Sequence, residues 1–86
     1  MAKYKLEIKR SAVKEIERLP KRDVTAVMEK IASLAENPRL PGCEKLSAQE
    51  KYRIRCGDYR ILYAIEDNIS SVYVVKVRHR KDAYRK

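Results

Sequence analysis

Apolar and polar residues alternate from Tyr4 to Ile8 (Tyr-Lys-Leu-Glu-Ile), the period of a half-buried strand. Ser11 follows and is suited to cap the start of a helix. Ala12, Val13, Ile16 and Leu19 then recur at helical spacing, with Lys14, Glu15, Glu17 and Arg18 turned to water. Pro20 ends this helix at or just before Leu19, because a residue preceding proline avoids the helical region. A second helix is predicted to begin around Lys21 to Asp23. Its apolar positions Val24, Val27, Met28, Ile31, Leu34 and Ala35 form the strongest periodic signal in the chain. Asn37-Pro38 stops it. So short a link predicts an antiparallel helix pair with one shared apolar face.

Residues 37–44 hold two prolines and a glycine and read as a loop. From Lys51 the period returns to two. Tyr52 to Cys56 is one strand, Gly57-Asp58 suits a type II′ or I′ hairpin turn, and Tyr59 to Glu66 is the return strand. Asp67-Asn68 marks the next turn, and the β-branched run Val72 to Arg78 is a further strand. Residues 79–86 are polar and basic and could close on a helical turn. The order βααβββ(α) predicts an α+β fold, a mostly antiparallel sheet with the helix pair on one face.

The hairpin can be registered from its turn. With Gly57 and Asp58 at the tip, Cys56 pairs with Tyr59, Arg55 with Arg60, Ile54 with Ile61 and Arg53 with Leu62. Tyr52, Ile54, Cys56, Tyr59, Ile61, Tyr63 and Ile65 then face the core, and Arg53, Arg55 and Arg60 share the other face. For the last strand, a two-residue turn at Asp67-Asn68 puts Tyr73, Val75 and Val77 on the arginine face. A three-residue turn through Ile69 puts Lys76 and Arg78 there and leaves Tyr73, Val75 and Val77 for the core. The second arrangement is preferred because it gathers charge on one side.

Length bounds the rest. A chain of 86 residues is expected to form a single domain over residues 1–86, with one modest core burying about 60–65% of the unfolded surface. No apolar run approaches the roughly 18–20 residues that span a bilayer. The N-terminus leads straight into strand-like sequence, so no signal peptide and a cytoplasmic location are expected. Cys43 and Cys56 make no CxxC pair and are expected to be free thiols. Lysine and arginine number 21 against 12 acidic residues, a net charge of +9. That excess on a small body calls for an anionic partner.

Among chemistries, no Gly-rich phosphate loop, HExxH, EF-hand loop or nucleophile elbow is present. No carboxylates stand at metal-ligand spacing, so neither a metal nor another cofactor is expected. RNA can still be cut without one, because its 2′-hydroxyl is a built-in nucleophile. The protein must hold the backbone in line, neutralise the phosphorane and assist two proton transfers. Clustered arginines suit the first two tasks. They suit proton transfer poorly, since the guanidinium pKa lies above about 12. That leaves His79, with Tyr84 as the second candidate. Arg80 and Tyr84 stand four apart and would project together from a helical turn. A tyrosine there can stack on an unpaired base while cations hold phosphates.

Two segments then carry a family resemblance. Residues 52–63, with Tyr52-Arg53-Ile54-Arg55 and Gly57-Asp58-Tyr59-Arg60-Ile61-Leu62-Tyr63, and residues 77–85, with His79, Arg80 and Tyr84, resemble the RelE branch of the RelE/ParE toxin superfamily. The likeness spans essentially the whole chain, including Leu19-Pro20 between the helices and Asn37-Pro38 after them. It implies a type II toxin that enters the ribosomal A site and cleaves mRNA by 2′-hydroxyl attack, leaving a 2′,3′-cyclic phosphate. It also implies a RelB-like antitoxin. Carried over by position, Arg53 and Arg55 match two basic strand residues that are lysines in the best-known members. Arg60 matches the transition-state arginine, Arg80 a leaving-group or phosphate arginine, and Tyr84 the C-terminal tyrosine that positions mRNA and takes part in proton transfer. Arginine at 53 and 55 keeps the charge but removes a deprotonatable amine. His79 stands where the best-known member has another basic residue; it is a candidate for acid or base work, with a structural role as the alternative. Lys51, Lys76, Arg78, Lys81 and Arg85 complete the expected RNA-binding set. Two other functions fit the same fold: a ParE-like gyrase poison and a non-catalytic basic binding module.

Overall fold

In the computed structural model, which describes residues 3–46 and 51–81, the elements follow the order the hydrophobic pattern sets. They are β1 (Lys5–Ile8), α1 (Arg10–Glu17), α2 (Lys21–Glu36), β2 (Glu44–Lys45), β3 (Lys51–Cys56), β4 (Tyr59–Glu66), a 3-10 turn (Asp67–Ile69) and β5 (Ser71–His79). The five strands form one sheet in the order β1-β5-β4-β3-β2. β1 runs parallel to β5 and every other neighbour is antiparallel.

The helices cover one face. α1 buries Ala12 and Ile16, and α2 buries Val27, Ile31, Leu34 and Ala35. They pack on Tyr52, Ile54, Ile61, Tyr63, Ile65, Val72, Val74 and Val77 from the sheet. Each fully buried aliphatic side chain contributes about 1.5–3 kcal/mol. Val13 and Met28 lie at the flanks of the helical stripes and stay partly exposed.

Local details depart from the sequence reading. Ser11 does not cap α1. The helix opens two residues earlier, with Lys9 at the cap position and no side-chain cap. The Lys9 amide is taken by the Val74 carbonyl at 2.9 Å, so β1 passes directly into the helix. Glu15 is half-buried rather than turned fully to water. Its carboxylate accepts the Val77 amide at 3.1 Å. β1 pairs with β5 only as far as Val74, so α1 supplies the acceptor further along. The segment read as a loop ends in the short edge strand β2, with Glu44 opposite Arg53 and Lys45 opposite Tyr52.

The hairpin forms in the expected register, Cys56 with Tyr59, Arg55 with Arg60, Ile54 with Ile61 and Arg53 with Leu62. Gly57 takes φ +59° and Asp58 has no positive φ, which is the type II′ pattern. Between β4 and β5 the turn is four residues long, since Glu66 pairs with Ser71. Its parity therefore matches the two-residue alternative. Val72 and Val74 face the core, and Tyr73 lies on the open face opposite Ala64. The register then shifts between Leu62 and Tyr63, leaving Val75 as a bulge. Beyond it Val77 is buried while Lys76 and Arg78 stand opposite Leu62 and Arg60. Tyr73 and Val75 are thus not core residues as expected: the four-residue turn puts Tyr73 on the open face, and the bulge at Val75 then reverses the alternation so that Val77 turns inward. Lys76 and Arg78 do reach the arginine side.

Cys43 and Cys56 are free and half-buried. Burial pushes the Cys56 thiol pKa up. Among the described residues no helix is long and apolar enough to cross a membrane. The expected closing helical turn falls mostly on residues 82–86, outside the described residues; within it, Arg80 and Lys81 form a turn.

Candidate nucleic-acid interface

The open face of the sheet is built from the strand register. Arg55 of β3 lies opposite Arg60 of β4, and Arg60 lies opposite Arg78 of β5. Three guanidinium side chains therefore start from one row across three strands. The neighbouring row runs Arg53, Leu62, Lys76. Directly opposed residues share a face with Cβ atoms about 4.5–5.5 Å apart, and like charges so placed destabilise a sheet.

Two clefts open along this row. One of about 320 Å³ is lined by Arg55, Gly57, Asp58, Tyr59, Arg60, Arg80 and Lys81. The other, about 280 Å³, shares Arg55 and Arg60 and adds Gly42, Glu44 and Arg53. Arg53 is half-buried, and its guanidinium donates to both Glu44 oxygens at 3.3 Å. Arg80 is held by its backbone, whose amide donates to the Asp58 carbonyl at 2.7 Å. Its side chain stays exposed with Nε 4.0 Å from the Asp58 carboxylate. Among the described residues Arg55 and Arg78 form no ion pair within 4 Å.

The expected site residues thus separate. Arg53, Arg55, Arg60, Arg80 and Lys81 line the two adjoining clefts, and Arg78 stands next to them opposite Arg60. Lys76 is exposed one pair away, opposite Leu62, and Lys51 lies farther down β3 opposite Ala64. Tyr84 and Arg85 lie outside the described residues. His79 does not join the groove. It pairs with Tyr59 on the helix side of the sheet, and the two rings meet edge to face at 5.3 Å and 89°. The bulge at Val75 sets this placement, since it sends Val77 and His79 to one face and Arg78 to the other.

Sequence reasoning missed Glu44 and Asp58 as carboxylates bordering the clefts. Glu44 could have been found only by knowing that the segment after Gly42 pairs with β3. Asp58 is a turn residue by sequence, and only the fold shows it touching Arg80.

The groove is braced from behind. The Tyr59 hydroxyl donates to Asp23 of α2 at 2.9 Å. Burial, reinforced by that hydrogen bond, pushes its pKa up, so Tyr59 remains a protonated donor. The Tyr63 hydroxyl donates to the Pro38 carbonyl at 2.7 Å, and burial raises its pKa as well. At the far end of the sheet Arg39 makes two hydrogen bonds to Asp67, of 3.2 and 2.9 Å, and stacks over the Tyr52 ring at 5.4 Å.

Chemically, the row can hold phosphate oxygens through paired N–H donors and stabilise added negative charge. Arginine cannot accept a proton, so proton transfer falls to the Lys81 amine, a carboxylate at the rim, a hydroxyl or the substrate's surroundings.

The family model for the ParE toxin of type II toxin–antitoxin systems matches residues 6–84. Toxin RelE of Mycobacterium tuberculosis is 31% identical over 84 residues, 95% of this chain and 87% of the relative. Toxin RelG of the same organism is 31% identical over 85 residues, covering 96% and 98%. Among solved structures, the toxin–antitoxin complex RelBE2 of M. tuberculosis superposes with a TM-score of 0.80 at 30% identity, over 93% of this chain and 94% of that one.

Proposed function

The chain belongs to the RelE family of type II toxins, within the RelE/ParE superfamily, and from that premise we propose that it is a ribosome-dependent mRNA endonuclease. The observation that carries the reading is the row Arg55, Arg60, Arg78 across three strands. A fold keeps opposed like charges where an anion relieves them.

In this reading the substrate is mRNA in the ribosomal A site. Arg60, at the centre of the row, contacts the scissile phosphate and stabilises the phosphorane. Arg53 and Arg55 bind its flanking oxygens, and Arg80 with Lys81 closes the groove at the leaving-group end. The 2′-hydroxyl attacks phosphorus as the bond to the 5′-oxygen breaks, giving a 2′,3′-cyclic phosphate and a 5′-hydroxyl. Tyr84 is the proposed stacking partner for the base. Arg78, Lys76 and Lys51 extend the positive surface along the RNA and ribosomal RNA, with Arg85 proposed as a further RNA-binding cation. No metal is required, because charge neutralisation rests on guanidinium groups. The partner that silences it is a RelB-like antitoxin, as the complex of the M. tuberculosis relative suggests. Both act in the cytoplasm.

Induced expression tests this. The expected result is arrested translation with cuts at codon boundaries in mRNA, lost in Arg60→Ala and Arg80→Ala variants that melt like the wild type. DNA damage with intact mRNA would instead identify a gyrase poison. Neither effect would leave a binding module. Full toxicity of both variants would overturn the site assignment.

A further inference from the structure

His79 was expected to move protons, yet it stands on the face of the sheet away from the groove. Its surroundings give it different work. On one side the ring meets Tyr59 edge to face at 5.3 Å, and Tyr59 is anchored to α2 through Asp23 at 2.9 Å. On the other side its Nδ1 accepts the backbone amide of Lys81 at 3.1 Å. The intervening residue, Arg80, has its own amide on the Asp58 carbonyl at 2.7 Å. Two successive amides after β5 are therefore fixed, one by the hairpin turn and one by the histidine. Arg80 and Lys81 are the residues this turn delivers to the cleft beside Arg55 and Arg60.

We infer that His79 is a positioning residue: as the neutral Nε2–H tautomer it accepts the Lys81 amide and so aims Arg80 and Lys81 into the arginine groove. A ring nitrogen that accepts a hydrogen bond carries no proton, so the same atom cannot also serve as an acid while the turn is closed. The bond spans two residues, the reach of an Asx turn, in which an asparagine side-chain oxygen accepts the amide two positions on. Asparagine can therefore replace the acceptor without any capacity for proton transfer. Phenylalanine keeps the ring against Tyr59 and has no acceptor.

The inference deepens the nuclease reading, on which its activity readout rests, and a second readout is independent of that reading. The experiment compares wild type, His79→Asn and His79→Phe in mRNA cleavage on programmed ribosomes, with rate and half-saturation measured separately. Amide hydrogen exchange at Lys81 is followed in the same three proteins. His79→Asn should cut within about threefold of wild type. His79→Phe should lose about tenfold or more in maximal rate with little change in half-saturation, the scale of one lost hydrogen bond. Lys81 exchange should be slow in wild type and His79→Asn and about tenfold faster in His79→Phe.

Equal loss of activity in both variants would mean proton transfer and overturn the inference. Equal retention would overturn it too, as would the reverse order, which marks ring packing as the role. If wild type itself cuts no mRNA, the nuclease reading fails. The exchange pattern then decides alone, with no difference among the three proteins counting against the inference. Should His79→Phe melt well below wild type, His79→Leu repeats the acceptor-free arm.

Discussion

Arg55 shows the conflict that defines the molecule. It is opposed to Arg60 on the neighbouring strand, so it weakens the sheet and strengthens the groove. Threonine at this position keeps a strand-forming side chain and removes the repulsion. Arg55→Thr is expected to raise stability by about 0.2–1 kcal/mol, which is up to roughly 4–8 °C in melting temperature for a domain of this size. Its affinity for ribosomes and RNA should fall at the same time. Parallel thermal melts and binding titrations check both. Asp67 is the opposite kind of residue, a carboxylate serving the fold alone. Hydrogen bonds from Arg39, and then from Tyr4, hold its pKa below the usual range. A depressed folded pKa contributes stability above the unfolded value of about 3.9 and loses it as pH falls through the folded value. Asp67→Asn should therefore melt below wild type at neutral pH, with the gap closing as the solution is taken below about pH 4. Melts over a pH series measure this, and an unchanged gap at acid pH would contradict the assignment.

The elements that were legible in the sequence are those whose parity is fixed nearby. The β3–β4 register followed from Gly57-Asp58, because a two-residue turn leaves one pairing and every face follows from it. α1 and α2 followed from their apolar spacing. β5 was only half legible. Its turn length and its bulge each change parity, and neither leaves a mark in the run Val72 to Arg78, which is apolar on both sides of the bulge. One turn alternative gives the faces before Val75 and the other gives those after, while the pairing itself follows neither. The same bulge decides that Arg78 joins the row and His79 does not. Deleting Val75 should reverse every face beyond it, turning Lys76 and Arg78 toward the core and exposing Val77. Burying unpaired charge costs several kcal/mol. The variant is expected to be unfolded or insoluble at room temperature, as circular dichroism would show. β2 was illegible for another reason, since its two residues carry no periodic signal and their pairing with β3 rests on contacts between separate segments, the Arg53–Glu44 ion pair and the Leu46 amide on the Lys51 carbonyl among them.

At the scale of the molecule, the two faces of the sheet divide the labour. One carries the apolar core that α1 and α2 cover. The other gathers a large share of a net charge of +9 beside the hairpin and the end of β5. Clustering of the arginines was legible from alternation and composition. The depth of the groove, the Glu44 rim and the anchoring of Arg80 on Asp58 were not, because they depend on contacts between distant segments. In the proposed reaction this row bends a ribonucleotide linkage for attack by its own 2′-hydroxyl. The direct test is primer extension on a defined mRNA in programmed ribosomes, with a 2′-deoxynucleotide placed at the mapped cleavage position. The expected result is a discrete A-site cut by wild type, absent with Arg60→Ala and absent at the deoxy position. Cleavage that persists at the deoxy position, or that is unchanged by Arg60→Ala, would contradict it.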